Sequence, residues 1–491
     1  MGLNAFLSSN AGSQYSLLLS VGLALSTLFT ILLVTLPARY NKLDHGAIRY
    51  VDDDGKELER IPADRKEPID TKTGNAVQIV VLGDIGRSPR MQYHALSIAK
   101  HGGKVFLIGY QESEIHPDII SNPWIKIIPL SPAPQFLRSS SKLLFPLIAP
   151  LKALWQAASL YFALGYSSRP CAFMFVQNPP SIPTLAIASL VCFLRNTALV
   201  IDWHNFGYSI LALKLGPSHP LVTISESYEK LFAKTATHHI TVTNAMARVL
   251  KDDYGVTAQA LHDRPASLFR PISTPECAAF LARLPETLPY AIDLTSPTST
   301  TPRKLIVSST SWTADEDFSL LLDALVSYSS IASSNPKLPR LLAIITGKGP
   351  QKAHYLARIS SLNKQKKLDK VDILTAWLTP QDYALLLASA HLGISLHTSS
   401  SGVDLPMKVV DMFGAGLPVV GWGKFEAWPE LVKEDVNGKG FGSAEELAGQ
   451  LVDLFGDKAE LLERLKKGAM EESKYRWEEE WDRAGKGIFC R

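Results

Sequence analysis

Between residues 77 and 420, short apolar runs alternate with stretches of helical period, and that alternation leaves little room for anything but parallel sheets with helical crossovers. Runs at 77–82, 104–108, 125–128, 172–176, 198–202 and 240–242 form a first series. A Ser, Thr and Pro cluster at 291–302 interrupts it, and runs at 305–308, 341–346, 371–374, 392–396 and 418–420 form a second. The expected fold is therefore α/β, with two Rossmann-like domains facing a cleft. The first should occupy 75–290 and the second 303–470, with a closing helix at 471–491 that packs Trp477 and Trp481 back on the first.

Residues 15–36 carry no charge and are long enough to cross an apolar layer of about 30 Å at about 1.5 Å per residue. They are expected to form a transmembrane anchor, because no basic stretch precedes them as it would in a cleaved signal peptide. Residues 1–14 lack Lys and Arg whereas Arg39, Lys42 and Arg49 follow the span, which assigns 1–14 to the lumen and the body to the cytosol. The polar stretch 37–74, with Asp52, Asp53 and Asp54, reads as a solvated linker. A net charge of only +3 over 491 residues leaves no nucleic-acid footprint but suits an anionic membrane surface. Cys171, Cys192, Cys277 and Cys490 form no C-x-x-C pair and have no histidine in ligand spacing, so no metal site is expected.

Ligands of such sheets bind beyond the carboxyl ends of the strands. Residues 391–420, HLGISLHTSSSGVDLPMKVVDMFGAGLPVV, set a hydroxyl-rich turn and a helix after a buried strand, the order of a nucleotide-sugar pocket. Ser400, Ser401 and Gly402 offer hydroxyls and backbone N–H groups to a diphosphate, Asp404 and Lys408 follow, and Asp411 is positioned to accept from two ribose hydroxyls. An ordinary strand-turn-helix with a Ser-rich loop is the alternative. After 305–308, Ser309, Thr310 and Ser311 should line a phosphate or sugar pocket, while Thr313 and Glu316 fit a capping box for the next helix. Lys348, between Gly347 and Gly349, is expected to neutralise a leaving diphosphate, with a plain surface turn as the alternative, and the stretch around Trp377 to hold a nucleobase through backbone groups.

In the first series the loop after 77–82 carries Asp84, Gly86, Arg87 and Arg90: a close backbone approach with two guanidiniums for a diphosphate, or a plain turn with surface arginines. It lacks G-x-G-x-x-G, which counts against a dinucleotide oxidoreductase. The loop after 198–201 concentrates Asp202, Trp203, His204 and Tyr208. His204 or Asp202 would take a proton from an attacking hydroxyl and Trp203 or Tyr208 would stack on a sugar. The plainer alternative is a histidine bonded to its neighbouring aspartate, with aromatics filling the domain edge.

LGDIGRSPRMQYHA, IDWHN, SSTSWTADEDF, ITGKGP and SSSGVDLPMKVVDMFG stand in this order over nearly the whole chain, which resembles the dolichol-pathway β-1,4-mannosyltransferase family. The resemblance implies a GT-B fold, GDP-mannose as donor, and a diphosphodolichol-linked chitobiose as acceptor for the first mannose of the N-glycan precursor. It also implies residence on the cytosolic face of the endoplasmic reticulum membrane, with other dolichol-pathway mannosyltransferases as candidate partners. Two departures from the wider GT-B pattern matter. The paired glutamates of retaining members are replaced by Val403 and Asp411, with Asp404 adjacent, and their Arg-Lys pair by Ser309, Thr310 and Ser311, leaving Lys348 and Arg87 to neutralise the diphosphate. The expected mechanism is one inverting displacement with His204 as leading base, Asp84 and Asp202 as alternates, and neither cofactor nor metal. A non-catalytic membrane-tethered scaffold and a mannosyltransferase acting on the next lipid-linked intermediate are the competing classes.

Overall fold

The computed structural model describes residues 75–138, 145–296, 299, 301–313 and 316–490, with short pieces before residue 75. The chain forms two units, one made of Met1–Val200, Thr235–Thr237 and Phe489–Arg491, the other of Ile201–Lys234 and His238–Ile488. The anchor expected at 15–36 lies partly outside the described residues, and among the described residues no helix is long and apolar enough to cross a membrane. Within the stretch read as a linker, β1 (Arg49–Val51), β2 (Glu57–Leu58) and β3 (Thr71–Lys72) pair antiparallel in the order β2-β1-β3. Strands of two or three residues are too short to leave an alternating pattern, which is why the sequence conceals them.

The first large sheet contains β4 (Ala76–Asp84), β5 (Lys104–Tyr110), β6 (Ile125–Pro129), β7 (Phe173–Asn178), β8 (Ala198–Trp203), β9 (His238–Thr241) and β10 (Gln259–Ala260). Their order is β10-β9-β8-β7-β4-β5-β6. β4 is buried from Ala76 to Leu82, the near-continuous apolar run of a strand covered on both faces. Its one interior amide, Gln78, donates to Leu164 O at 3.1 Å and to Ser168, so the buried polar group is satisfied. Pro89 opens α1 (Pro89–Lys100), where a missing N–H costs nothing. In α2 (Phe145–Phe162), Leu151, Leu154, Trp155 and Phe162 remain exposed. After β8 come α3 (Gly207–Leu215) and α4 (Pro220–Ala233).

The second sheet is parallel throughout: β11 (Arg303–Ser309), β12 (Arg340–Thr346), β13 (Val371–Ala376), β14 (Leu392–Ser395), β15 (Val419–Trp422) and β16 (Gly438–Phe441), in the order β13-β12-β11-β14-β15-β16. The chain runs outward from β11 to β13 and returns to β14 beside β11, so the strand order reverses between β11 and β14, where the loops splay and leave a crevice. α5 (Phe318–Ser334) covers this sheet with Phe318, Leu321, Leu325 and Tyr328, all buried in one cluster with Ile306, Leu341 and Ile394. The capping box expected at Thr313 and Glu316 is absent: Asp317 caps α5 by accepting from Ser319 N at 2.9 Å. α6 (Met407–Gly414) stops as expected, and Gly416 takes the positive φ of 72° that turns the chain toward β15. Near the end, α7 (Trp477–Ala484) buries Trp477 and Trp481.

Candidate functional site

A cavity of about 630 Å³ opens at this reversal point, walled by the loops after β11, β12 and β13 and by α6. Ser311, Lys348, Trp377, Lys408 and Asp411, which lie in four separate stretches of sequence, all line it. Two glycines bring the walls together. A Cβ on Gly347 would lie 1.9 Å from Thr310 O and one on Gly349 1.7 Å from Ser311 O, so only glycine lets the loop after β12 lie against the loop after β11. Lys348 between them holds its Nζ 3.8 Å from the centre of the Trp377 ring, a cation–π contact on an indole whose area is 64% exposed.

Glu316 is the residue whose role the sequence hides. It is buried, and its carboxylate accepts from Thr310 Oγ1 at 3.0 Å, from the Ser311 N–H and from Lys408 Nζ. The carboxylate thus shapes the hydroxyl loop and pins the lysine of α6. The T-x-x-E pattern that suggested a cap holds no trace of this tertiary contact. Deeper in, Ser309 shares hydrogen bonds with Tyr383 at 2.8 Å and Thr346 at 3.1 Å. Burial, reinforced by Asp263, pushes the Asp411 carboxyl up to about 8, so it is largely protonated at neutral pH.

A second cluster gathers where β8 and β14 end. Asp202, fully buried at the end of β8, binds His204 Nε2 through Oδ2 at 2.8 Å. The ring is fixed by a carboxylate from its own strand end, leaving Nδ1 facing away from that contact. Asn205 Nδ2 donates to Ser400 Oγ at 3.0 Å, and Ser209 Oγ lies 3.2 Å from the same hydroxyl, tying the loop after β8 to the loop after β14. In that second loop Asp404 binds His397 Nε2 at 3.0 Å and accepts from Ser401 at 3.1 Å and from Ser399. Burial raises its pKa, but these bonds outweigh burial and hold it below the usual carboxylate range. Gly402 turns the loop with a φ of 75°. Ser400, Ser401 and Asp404 thus spend these groups on shaping the loop. His397 was missed, because its pairing with Asp404 exists only once the loop closes.

Trp203 corrects one expectation. It is 0% exposed, donates to His239 Nδ1 at 3.1 Å and packs on Phe206 and Tyr254, so it has no face for a sugar. As the last residue of β8 it points into the core. Tyr208 is half-buried against Phe206, and burial together with Glu226, Glu229 and Asp253 pushes its hydroxyl up to about 12.

In the first unit, Asp84 Oδ1 accepts from the N–H groups of Gly86, Glu112 and Ser113 at 3.1 to 3.2 Å, which staples the loop after β4 to the loop after β5. Burial raises its pKa, yet the bonds to Ser113, Glu112 and Gly86 win and leave it lowered, the wrong direction for a base working near neutrality. A Cβ on Gly86 would meet Glu114 O at 2.5 Å, so this glycine serves loop packing. Arg87 remains on the surface beside Asp84 and Ser113. Arg90 is 4% exposed and so is not the open guanidinium expected for a diphosphate, because its place in α1 turns it inward. Among the described residues no group of three or more His, Cys, Asp or Glu side chains is arranged to hold a metal ion.

No protein-family model matches the chain. It is 53% identical over 376 residues to the chitobiosyldiphosphodolichol beta-mannosyltransferase of Arthroderma benhamiae, covering 76% of this chain and 83% of that protein. To the Homo sapiens protein of the same name it is 42% identical over 429 residues, covering 82% and 90%. A relative from Arabidopsis thaliana, UDP-glycosyltransferase TURAN, is 41% identical over 460 residues, covering 85% and 97%. Among solved structures, sucrose-phosphate synthase from Thermosynechococcus elongatus superposes with a TM-score of 0.58 at 15% identity, covering 83% of this chain and 96% of that one. Anabaena HepE, in complex with UDP and glucose, gives 0.56 at 14% identity, with 82% and 95% covered. At that identity the likeness speaks to fold alone, and the fold is GT-B, with two parallel sheets.

Proposed function

Because this chain belongs to the chitobiosyldiphosphodolichol beta-mannosyltransferases, we propose that it transfers the first mannose from GDP-mannose, in β-1,4 linkage and with inversion, to chitobiose carried on diphosphodolichol. The observation that supports the mechanism best is the Asn205–Ser400 bond, since it ties the His204 loop to the loop that leads into α6 and its Lys408 and Asp411. Asp202 accepts the Nε2–H of His204, so the Nδ1 lone pair takes the proton of the acceptor 4-hydroxyl. The freed oxygen pair forms the new bond to mannose C1 while the bond from C1 to the phosphate oxygen breaks, its electrons leaving with GDP. Lys408 and Lys348 offset the charge that develops there, in general the largest catalytic contribution. Asp411 holds the ribose, and Trp377 presents a flat face to the base. Neither metal nor cofactor takes part, and the enzyme works at the cytosolic face of the endoplasmic reticulum membrane, held there by residues 15–36.

Full-length protein offered GDP-mannose or UDP-sugars, with either lipid-linked chitobiose or its monomannosylated product as acceptor, tests this reading. The UDP arm is needed because the Arabidopsis relative bears that nucleotide in its name. The expected product forms only from GDP-mannose and chitobiose, survives α-mannosidase, yields to β-mannosidase, and still forms under EDTA. Transfer from a UDP-sugar alone, or only onto the monomannosylated lipid, overturns it.

A further inference from the structure

α3 is built inside out. Of Gly207–Leu215 only Ser209 is buried, and its hydroxyl is spent on Phe206 O at 2.9 Å and on Ser400, while Ile210, Leu213 and Leu215 face solvent. α4 adds to the exposed apolar surface: Leu221, Ile224 and Leu231 are exposed by 52, 58 and 62% on one stripe, while Val222, Ser225, Glu229 and Ala233 are buried on another. A surface helix ordinarily turns its apolar stripe inward. Single exposed leucines are common, but six on one helical hairpin form a patch that needs a partner.

We propose that the α3–α4 hairpin is the lipid-facing surface of this enzyme, dipping its aliphatic side chains among the hydrocarbon chains of the membrane that carries the acceptor. The inference rests on the lipid-linked acceptor argued above. Three features support it. α3 begins directly after the His204 loop, and Asn205 and Ser209 both bond to Ser400, so the patch is continuous with the acceptor end of the site. A lipid-linked sugar must reach that site while its tail stays in hydrocarbon, with only two sugars and a diphosphate as spacer. The patch is purely Ile and Leu, without the exposed Trp or Arg that anchor protein interfaces, and exposed Lys214 and Lys234 are suited to lipid phosphates.

Two measurements on the full-length protein, reconstituted in vesicles of phosphatidylcholine and phosphatidylinositol, test it. In the first, Leu213→Cys, made with Cys277→Ser and Cys490→Ser, carries an environment-sensitive fluorophore. Quenching by spin-labelled acyl chains is expected; a label unquenched by lipid, whether wet or shielded by another part of the protein, overturns the proposal. In the second, a Leu213→Glu, Ile224→Glu, Leu231→Glu triple variant is compared with wild type. KM for a dolichol-length acceptor should rise at least tenfold, while turnover of a short-chain, water-soluble acceptor stays within twofold, which also shows that the variant folds. Equal losses on both acceptors, or on neither, overturn it. Should the wild type use no lipid-linked chitobiose at all, the functional reading fails while lipid quenching still reports on the surface.

Discussion

At the scale of single residues, the decisive pair is His204 with Asp202. A ring held through Nε2 by a fully buried carboxylate has its tautomer chosen and its other nitrogen ready for a proton. His204→Ala should lower turnover at saturating substrates by about two to four orders of magnitude, with donor KM unchanged. Asp202→Asn should give a smaller loss and a displaced pH profile, which steady-state rates from pH 5 to 9 would reveal. Asp411 makes a different prediction. Its pKa, raised from 3.8 to about 8 chiefly by burial, means that the folded protein keeps a proton which the unfolded chain releases. This group therefore subtracts from stability increasingly as pH rises from about 4 to about 8. Asp411→Asn should raise Tm, by a margin that widens over that window and then levels off, while donor affinity measured by calorimetry at about pH 9, where the carboxyl is ionised, falls about tenfold or more as a charge-assisted bond is lost. Residue by residue, the sequence exposed what depends on position along a strand. Lys348, Trp377 and Ser311 were found because each follows an apolar run. Trp203 was misjudged because the strand extends one residue further than its pattern indicates, and Glu316 because it folds back on the loop just before it and meets Lys408, which lies on a helix far along the chain.

At the scale of elements, the hydroxyl loop after β11 and the glycine loop after β12 form one construction. Gly347 needs a φ of 119° and no side chain, so Gly347→Ala combines backbone strain with a collision against Thr310 O. The expected cost is about 1–3 kcal/mol of stability, read as a lower Tm, with a raised donor KM because the β11 loop must shift. Wild-type values for both would mean that the two loops are independent. The strands of both large sheets were legible as apolar runs, but β10 and β16 were not, since Gly438–Phe441 carries two glycines and a lysine in four residues. Those elements are specified by the neighbours they pair with.

At the scale of the molecule, α7 is fastened by charge. His262 lies 3.0 Å from Glu430 and 3.4 Å from Glu480, and Arg264 bridges Glu472 and Glu480 at 3.0 and 3.4 Å. The two glutamates push His262 from 6.5 up to about 9, while Glu430 and Glu480 are held below their usual range by these bonds in spite of burial. The histidine contribution is full below about 6.5 and lost as pH rises through about 9; that of the glutamates is present above about 4.5 and lost in acid. Hydrogen exchange of α7 amides, corrected for intrinsic rate, should be slowest between those limits and accelerate beyond pH 9, and His262→Ala should abolish the alkaline step. Beyond α7 the chain re-enters the first unit, where Phe489 packs 5.5 and 5.1 Å from the rings of Phe173 and Phe175 and its carbonyl accepts from Asn75 at 3.0 Å. A ribosome delivers β4 and β7 long before it delivers Phe489, so the first unit waits, with a slot open over β7, until the second has been synthesised in full. Nascent chains stalled before residue 489 should thus be the form that most needs a chaperone.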